Sequence, residues 1–297
     1  MPAPYLQKLV IIGVGLIGGS FALALRKAKL AKRIVGLGRG QKNMQRALEL
    51  GIIDEIATTP AMALQDADFV LLSMPVGQIQ SVMEQIEPYL NKETIVSDVG
   101  STKQNVIDAA RKQLMTHLNR FIPGHPIAGT EFRGADAADP LLFKDKHLVI
   151  TPLKENHEQA VIQVRELWES CGAKVSLMPA EQHDQILAIV SHLPHMLAFT
   201  LMNHVQGCSE FDPNYILDYA GSSFRDCTRI AASSPEMWRD ICLANREKLL
   251  SELDAYQGAL TDLREQLANQ NSEALLNLFK KASDLKLQWS RNSAERS

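Results

Sequence analysis

Leu9-Val-Ile-Ile-Gly13-Val-Gly15-Leu-Ile-Gly18 is the stretch that decides the fold, because a β-branched apolar run enters the glycine pattern GxGxxG and an amphipathic segment follows. This arrangement is typical of a strand that turns into a helix around a dinucleotide. Gly13 would make the tight turn, Gly15 would let the backbone approach a pyrophosphate, and Gly18 would let helix and strand pack closely. The residues predicted to contact the dinucleotide here are Gly13, Gly15, Leu16, Ile17 and Gly18.

Strand-like and helix-like segments alternate from this turn to Pro179. Short apolar runs predict strands at Leu9–Ile12, Arg33–Leu37, Phe69–Ser73, Thr94–Ser97, Arg120–Pro123, His147–Thr151 and Lys174–Met178. After Pro179 the strand signals stop and the pattern is helical. We therefore expect an α/β, Rossmann-type, doubly wound N-terminal domain with a parallel sheet at residues 1–179. An all-α C-terminal domain for substrate binding and dimerisation is expected at residues 180–297.

Two apolar features of the helical half bear on its packing. Apolar side chains repeat at four-three spacing along one predicted helix, at Leu249, Leu253, Tyr256, Leu260, Leu263 and Leu267. Such a stripe packs either within the subunit or as a seam of a homodimer, and both interpretations stay open. The apolar tract Ile186–Met202 is interrupted by polar residues and is too short for a membrane span, so a buried helix is expected there.

Composition narrows the class of protein. The 297 residues are 45% hydrophobic and 22% charged, with a formal net charge of −3. Because there is no basic field, neither nucleic acid nor an anionic membrane is an expected partner, and a small-molecule substrate is favoured. The start of the chain shows no export signal, and the four cysteines show no CxxC spacing. A cytoplasmic enzyme without a metal site or a disulfide framework is therefore expected.

The end of the second predicted strand bears on the choice of dinucleotide. NAD-selective sites have an acidic residue there, about 20 residues after the glycine turn, which binds the ribose 2′-hydroxyl. This chain has Gly38 and Arg39 instead. An arginine can pair with a 2′-phosphate, so the pattern favours NADP over NAD; the alternative is that Arg39 stacks on the adenine and either cofactor binds. Met74 and Pro75 follow a later strand and are expected to lie along the same dinucleotide.

Two loops at the ends of predicted strands carry chemically useful side chains, and open α/β sheets bind ligands at the carboxyl ends of their strands. Ser101, in the segment Asp98-Val-Gly-Ser-Thr-Lys103, either caps a helix or hydrogen-bonds a substrate hydroxyl. His125 lies between Gly124 and Pro126 at a strand end, a position that packing explains poorly. We therefore predict that His125 is a general base, with a structural role as the alternative.

The helical half supplies cations suited to an acidic substrate. It contains Ser191-His192-Leu-Pro-His195 and a later run with Arg225 and Arg229, whereas its first part has no lysine. Guanidinium groups bind carboxylates bidentately, and the two histidines lack the carboxylate pattern of a metal site, so anion binding is favoured. The alternative for the two arginines is a structural ion pair with Asp226 or Asp218.

Together these motifs resemble the prephenate/arogenate (cyclohexadienyl) dehydrogenase family of tyrosine biosynthesis. The resemblance runs from about Lys8 to about Tyr256. It is carried, after the glycine turn, by Asp98–Lys103, Gly124–Glu131, Ser191–His195, Phe224–Arg229 and Met237–Asp240. It implies the oxidative decarboxylation of prephenate to 4-hydroxyphenylpyruvate, or of arogenate to tyrosine, with hydride transfer to NAD(P)+.

The resemblance also implies roles for the matching residues of this sequence. His125 would accept the proton of the ring hydroxyl, and Ser101 would hold that hydroxyl. Arg229 would bind the ring carboxylate, and His195 would bind the side-chain end, favouring the anionic pyruvyl group of prephenate. The residues implied to share in substrate binding or to line the pocket are His192, Arg225, Thr130, Glu131 and Trp238.

Two positions depart from the family pattern. Gly38 stands where many members have an acidic residue, which leaves the cofactor open, and Arg225 stands where some relatives have other residues. No fused mutase or regulatory module is indicated, so a monofunctional homodimer is expected, with tyrosine as a candidate product inhibitor. The alternative classes are a 3-hydroxyacid dehydrogenase, which would need a lysine on the first helix of the helical domain, and a catalytically silent NAD(P)-binding sensor.

Overall fold

The computed structural model of the chain describes residues 4–130 and 132–294. The chain forms two compact units, Met1–Arg246 and Glu247–Ser297. This division lies well after Pro179, so the predicted domain boundary between residues 179 and 180 stays a prediction. The larger unit contains both sheets and all the described residues that we single out for the site.

A parallel sheet of six strands lies at the centre of the larger unit. Its strands are β1 Leu6–Ile12, β2 Ala31–Leu37, β3 Glu55–Ala57, β4 Phe69–Leu72, β5 Ile95–Asp98 and β6 Phe121–Ile122. Their spatial order is β3-β2-β1-β4-β5-β6, so the topology switches between β1 and β4, where open sheets of this kind bind ligands. The sequence does not predict β3, because only one of its three residues is buried.

The last two predicted strands do not join this sheet. β7 Gly124–Pro126, β8 His147–Ile150 and β9 Lys174–Leu177 form a separate sheet of three strands. β8 pairs antiparallel with β7 and parallel with β9. The expectation of a single parallel sheet is therefore wrong in this region. The physical reason is Pro123, which has no N–H to continue the hydrogen bonding of β6, so the chain leaves the first sheet there.

Helices cover both faces of the six-stranded sheet. They are α1 Leu16–Lys27, α2 Gln41–Glu49, α3 Pro60–Leu64, α4 Val76–Ile86, α5 Gln104–Gln113 and α6 Glu158–Ser170. The side chains of β1 alternate between two hydrophobic cores, with Leu9 and Ile11 in one and Val10 and Ile12 in the other. A strand that is buried on both faces explains the unbroken apolar run before the glycine turn.

The rest of the larger unit is helical. Its helices are α7 Ala180–Leu187, α8 Leu193–Gln206, α9 Pro213–Asp218, α10 Ser222–Thr228 and α11 Pro235–Ala244. One π-helical turn, Ala188–His192, joins α7 to α8, and the N–H of Leu193 donates to the carbonyl of Ala188. This turn directly precedes Pro194, which cannot donate the hydrogen bond that a continuous α-helix would need at that point. Turns of this kind occur frequently at functional sites.

The helical segment Ala180–Gln206 is long and apolar enough, by length and composition, to cross a membrane. Its most apolar window has a mean hydropathy of 1.4, and only 28% of that window is buried. The expectation of a buried helix is therefore wrong for most of this segment, in which side chains such as Val190 and Leu201 are 66% and 37% exposed. The buried part of the segment includes His183 and Asp184, which contact the site described below.

The smaller unit is a helical hairpin. It consists of α12 Arg246–Ala268 and α13 Ser272–Ala294. Tyr256, Leu260 and Leu263 of the predicted stripe, together with apolar residues of α13, line a groove of about 750 Å³ between the two helices. Leu260 and Leu267 of the stripe are 48% and 58% exposed, so the hairpin leaves much of the stripe uncovered.

Candidate active site

A cavity of about 530 Å³ lies at the carboxyl ends of β1, β4 and β5, at the topological switch point of the sheet. Segments that follow these three strands line it, together with β7 and residues of α11. The predicted site residues in its lining are Gly15, Leu16, Ile17, Met74, Pro75, Ser101, His125 and Thr130. The fold thus brings the glycine turn, the serine and the histidine to one cavity.

The glycine turn has the geometry that a pyrophosphate needs. Gly13 has a φ of +94°, and a Cβ there would lie 2.6 Å from the carbonyl oxygen of Ser73. At Gly18 a Cβ would lie 2.7 Å from the Gly13 carbonyl oxygen, whereas at Gly15 no atom comes within 4 Å. α1 begins without a side-chain cap and without an acidic residue in its first turn. Its free N–H groups can therefore bind the phosphates of a dinucleotide.

Gly38 and Arg39 follow β2 and lie outside the lining of this cavity. A Cβ at Gly38 would lie 2.8 Å from the sulfur of Met44, so a larger residue would require Met44 to move. Arg39 Nη2 donates to Gln78 Oε1 at 2.5 Å. This hydrogen bond holds the guanidinium at the end of β2, where the ribose of a dinucleotide would lie.

His125 is 9% exposed and belongs to a chain of buried polar side chains. Its Nδ1 lies 2.8 Å from Nε2 of His183, and Nδ1 of His183 lies 2.8 Å from Oδ1 of Asp184. We call these three residues the His-His-Asp relay. Burial lowers the pKa of His125 well below its usual value, and the neighbouring His183, Lys103 and His192 lower this pKa further. The imidazole is therefore neutral at neutral pH and can accept a proton.

Asp184 links this relay to α5. Its Oδ1 accepts from the N–H of Lys103 at 2.8 Å and its Oδ2 accepts from the N–H of Gln104 at 2.9 Å. Burial raises the pKa of Asp184, but the hydrogen bonds from His183 and from these two amides outweigh burial and lower it. Asp184 is therefore an ionised carboxylate that caps the start of α5.

Lys103 fixes the strand that carries His125. Its ammonium group is fully buried and donates to Oδ2 of Asp98 at 2.5 Å and to the carbonyl oxygen of Gly124 at 2.6 Å. Asp98 ends β5 and Gly124 begins β7, so the lysine joins the two sheets beside the histidine. The sequence motif Asp98–Lys103 predicts no role for Lys103, and no sequence motif includes His183 or Asp184. The one local signal was an ionisable pair, His-Asp, within an otherwise amphipathic helix.

His195 and Trp238 form a second part of the site. Their rings stack with centroids 3.7 Å apart and an interplanar angle of 21°. Nδ1 of His195 donates to the carbonyl of Ser191 at 2.9 Å, which leaves Nε2 without its proton in a neutral ring. Burial and the nearby Arg229 lower the pKa of His195, against a smaller opposing effect of the Ser191 carbonyl.

Arg225 and Arg229 are both exposed. Within residues 4–130 and 132–294, neither makes an ion pair with Asp226 or Asp218. No contact in the described part of the chain thus supports a structural ion pair as the role of these arginines. Predicted substrate residues that lie outside the cavity lining are Arg225, Arg229, His192, His195 and Trp238.

His192 is only 1% exposed. Its Nδ1 lies 3.1 Å from Nδ2 of Asn245, which also donates to the carbonyl of Asp184 at 2.8 Å. Burial lowers the pKa of His192 to about 4, against an opposing effect of the nearby Asp184. His192 is therefore a buried neutral ring whose Nδ1 bonds to Asn245. Glu131, the remaining predicted substrate residue, lies outside the described residues. The described residues include no group of three His, Cys, Asp or Glu side chains that could hold a metal ion.

Comparison with known proteins gives matches over nearly the whole chain. The prephenate dehydrogenase nucleotide-binding domain matches residues 21–177, and the prephenate dehydrogenase dimerization domain matches residues 179–281. A cyclohexadienyl dehydrogenase of Zymomonas mobilis is 39% identical over 95% of each chain.

Two solved structures resemble this fold closely. Prephenate dehydrogenase from A. aeolicus, in complex with hydroxyphenyl propionate and NAD+, has a TM-score of 0.88 and 34% identity, covering 95% of this chain and 98% of that one. Synechocystis arogenate dehydrogenase has a TM-score of 0.80 and 30% identity, covering 95% of this chain and 100% of that one. Both likenesses extend over the sheets and the helical part together.

Proposed function

Because the chain belongs to the prephenate dehydrogenase family, we propose that it oxidises and decarboxylates prephenate to 4-hydroxyphenylpyruvate, or arogenate to tyrosine, with an NAD(P) cofactor. The observation that supports this most is that His125 and Ser101 line the same cavity as the glycine turn. The family assignment replaces the two alternative classes, a 3-hydroxyacid dehydrogenase and a silent sensor.

The reaction requires one general base and a substrate held in a fixed orientation. A bound nicotinamide would supply the acceptor for the hydride of ring C4. His125 accepts the proton of the C4 hydroxyl at Nε2, since its Nδ1 is already bonded to His183. Ser101 holds the hydroxyl oxygen. The ring carboxylate leaves as CO₂, its bonding electrons complete the aromatic ring, and the proton returns to the oxygen, which becomes the phenol.

We assign the substrate's carboxylates to the second part of the site. Arg229 is exposed and makes no ion pair among the described residues, so its guanidinium is available to the ring carboxylate. His195, which stacks on Trp238, is assigned together with Arg225 to the side-chain end. Thr130 is assigned to the pocket lining. His192 is buried and bonded to Asn245, which favours a supporting role rather than direct contact with the substrate. The role of Glu131 stays a prediction.

For the cofactor we propose a preference for NADP over NAD. No carboxylate follows β2 to repel a 2′-phosphate. Met44 also leaves little room for an acidic side chain at position 38. Arg39 is held by Gln78 at the position where a 2′-phosphate would bind. The backbone N–H groups at the start of α2 lie at the same end of β2. Because α2 begins without a side-chain cap, these groups can also donate to a phosphate.

We propose a homodimer in which the partner covers the exposed apolar faces of the helical region. The matched dimerization domain spans residues 179–281, which include both the exposed side of the segment Ala180–Gln206 and the groove between α12 and α13. Tyrosine is proposed as a product inhibitor, because it shares its side-chain end with arogenate. A cytoplasmic location and the domain boundary at residues 179 and 180 stay predictions.

Absorbance at 340 nm tests the proposed reaction directly. The purified protein would be mixed with prephenate or arogenate and with NAD or NADP, which gives four pairs. We expect reduced cofactor in at least one pair and a lower KM for NADP than for NAD. No turnover with any pair, for a dimer whose circular dichroism shows it to be folded, would contradict the proposed function.

A further inference from the structure

We propose that His183 and Asp184 are positioning residues that hold His125 in the tautomer with its proton on Nδ1. Nε2 is then free to accept the hydroxyl proton of the substrate. This inference rests on the proposed role of His125 as the base. It adds two residues, more than 50 positions away in sequence, to the machinery of the reaction.

Asp184 determines which nitrogen of His183 carries the proton. Each of its carboxylate oxygens already accepts a backbone N–H, from Lys103 and from Gln104, and Oδ1 also faces Nδ1 of His183 at 2.8 Å. An ionised carboxylate only accepts hydrogen bonds. The hydrogen between Asp184 and His183 therefore belongs to Nδ1 of His183.

The tautomer of His125 follows from this assignment. A neutral His183 with its proton on Nδ1 has only an acceptor at Nε2. Nε2 lies 2.8 Å from Nδ1 of His125, so Nδ1 of His125 must be the donor. Burial and the nearby Lys103 and His192 lower the pKa of His125, so its ring is neutral before the reaction. His125 consequently presents an unprotonated Nε2.

The same contacts help after proton transfer. The O–H bond of the substrate breaks and the Nε2–H bond of His125 forms, which leaves a cationic ring. That ring still donates through Nδ1 to His183, whose own N–H points at the carboxylate of Asp184. The negative charge thus stabilises the cation through a neutral ring, without any further proton leaving. In serine proteases, removal of a comparable orienting carboxylate lowers kcat by about 10⁴.

Three elements keep the relay in place. β7 carries His125, α7 carries the other two residues, and Asp184 caps α5. Asn245, after the end of α11, donates to the backbone carbonyl of Asp184 at 2.8 Å. The relay is therefore supported by buried hydrogen bonds on every side and can hold one ring orientation.

Ring-nitrogen NMR reads the tautomer without any substrate. In protein labelled with ¹⁵N-histidine, we expect His125 to show a protonated Nδ1 and an unprotonated Nε2, with His125→Asn identifying its signals. His183→Phe keeps a ring but removes the acceptor. In this variant His125 should no longer be held in one tautomer, and kcat should fall by about 10- to 100-fold. This loss is a part of the about 10²- to 10⁴-fold that a general base contributes. KM should stay unchanged.

Two further variants separate positioning from simple loss of structure. His183→Gln can still offer an acceptor oxygen to the Nδ1–H of His125 and should recover most of the lost kcat. His117→Phe changes another buried histidine, which bonds to the carbonyl of Asn91 away from the cavity, and should leave kcat unchanged. Circular dichroism and cofactor binding would show that each variant is folded.

Two results would overturn the inference: a wild-type His125 protonated at Nε2, or a folded His183→Phe variant with full kcat. Because the spectrum needs no turnover, the tautomer is tested even when no substrate reacts. Absence of turnover together with the expected spectrum would contradict the proposed function alone.

Discussion

The two sides of the candidate site differ in how completely the fold organises them. On the base side, Lys103 and His183 are fully buried, His125 is nearly so, and each makes hydrogen bonds to groups of the same subunit. On the cation side, Arg225 and Arg229 are exposed on α10 and on the short 3₁₀ turn after it. No ion pair orders these two arginines within the described part of the chain.

This difference predicts different kinetic effects. Groups held by the fold before substrate arrives lower the barrier of the chemical step without reorganising. Exposed, unpaired arginines lose side-chain entropy when they bind a carboxylate, so they contribute mainly to affinity. Changes on the base side should therefore alter kcat, and changes on the cation side should alter KM.

The largest effect is expected for His125→Asn on the base side. The amide cannot act as a base, so kcat should fall by about 10²- to 10⁴-fold. Cofactor affinity should be unchanged, because the glycine turn is intact. Rates at 340 nm and fluorescence titration with NADPH would measure the two quantities, and retention of half the wild-type kcat would exclude His125 as the base.

The next effect is expected for Arg229→Ala on the cation side. Loss of a charge-assisted hydrogen bond to the ring carboxylate should raise KM for prephenate by about 10- to 100-fold, with a smaller change in kcat. Arg239→Ala is the matched control, since that exposed arginine already pairs with Asp240. Equal KM values for both variants would contradict the assignment of Arg229.

A smaller effect is expected at the cofactor. Arg39→Ser should raise KM for NADP by about 10-fold and leave KM for NAD nearly unchanged, because only the 2′-phosphate loses a partner. Lys32→Ser, which removes an exposed cation bonded to Gln7, serves as the control. An equal rise for both cofactors would show that Arg39 contacts the adenine instead.

The smallest effect concerns pH and His195. Its pKa is lowered by burial and by Arg229, so the ring is neutral at neutral pH and becomes cationic only below its ordinary value of about 6.5. Lowering the pH through that range should strengthen binding of the anionic pyruvyl group of prephenate a few-fold. Binding of arogenate, whose ammonium would meet a cation, should weaken. Parallel KM measurements would test this, and His195→Gln should abolish the difference.

Local chemistry predicts one part of the site well. The glycine turn, Ser101 and His125 each follow a strand, and strand ends of an open sheet converge, so sequence alone predicts a common cavity. The similarity to known proteins confirms the NAD(P)-binding fold and the family. The substrate roles of the arginines stay predictions, because they depend on a ligand.

Long-range contacts explain what sequence reasoning missed. His183, Asp184 and Asn245 are connected to His125 only through tertiary packing, and no spacing along the chain marks such partners. Apolar periodicity likewise indicated that β8 and β9 are strands but carried no information on pairing, so the second sheet was not foreseen. His192 is the last residue of the π-helical turn, and a helical sequence pattern does not reveal such a turn.

That turn also affects how this wall of the site can change during evolution. The hydrogen bond from the Leu193 N–H to the Ala188 carbonyl spans five residues, one more than in an α-helix. Removing one residue would regularise the helix and shift Ser191 and His192 relative to His195. The carbonyl that orients the His195 ring and the partner of Asn245 would then be lost together. Point substitutions can adjust this wall gradually, whereas the deletion of a single codon would rebuild it in one step.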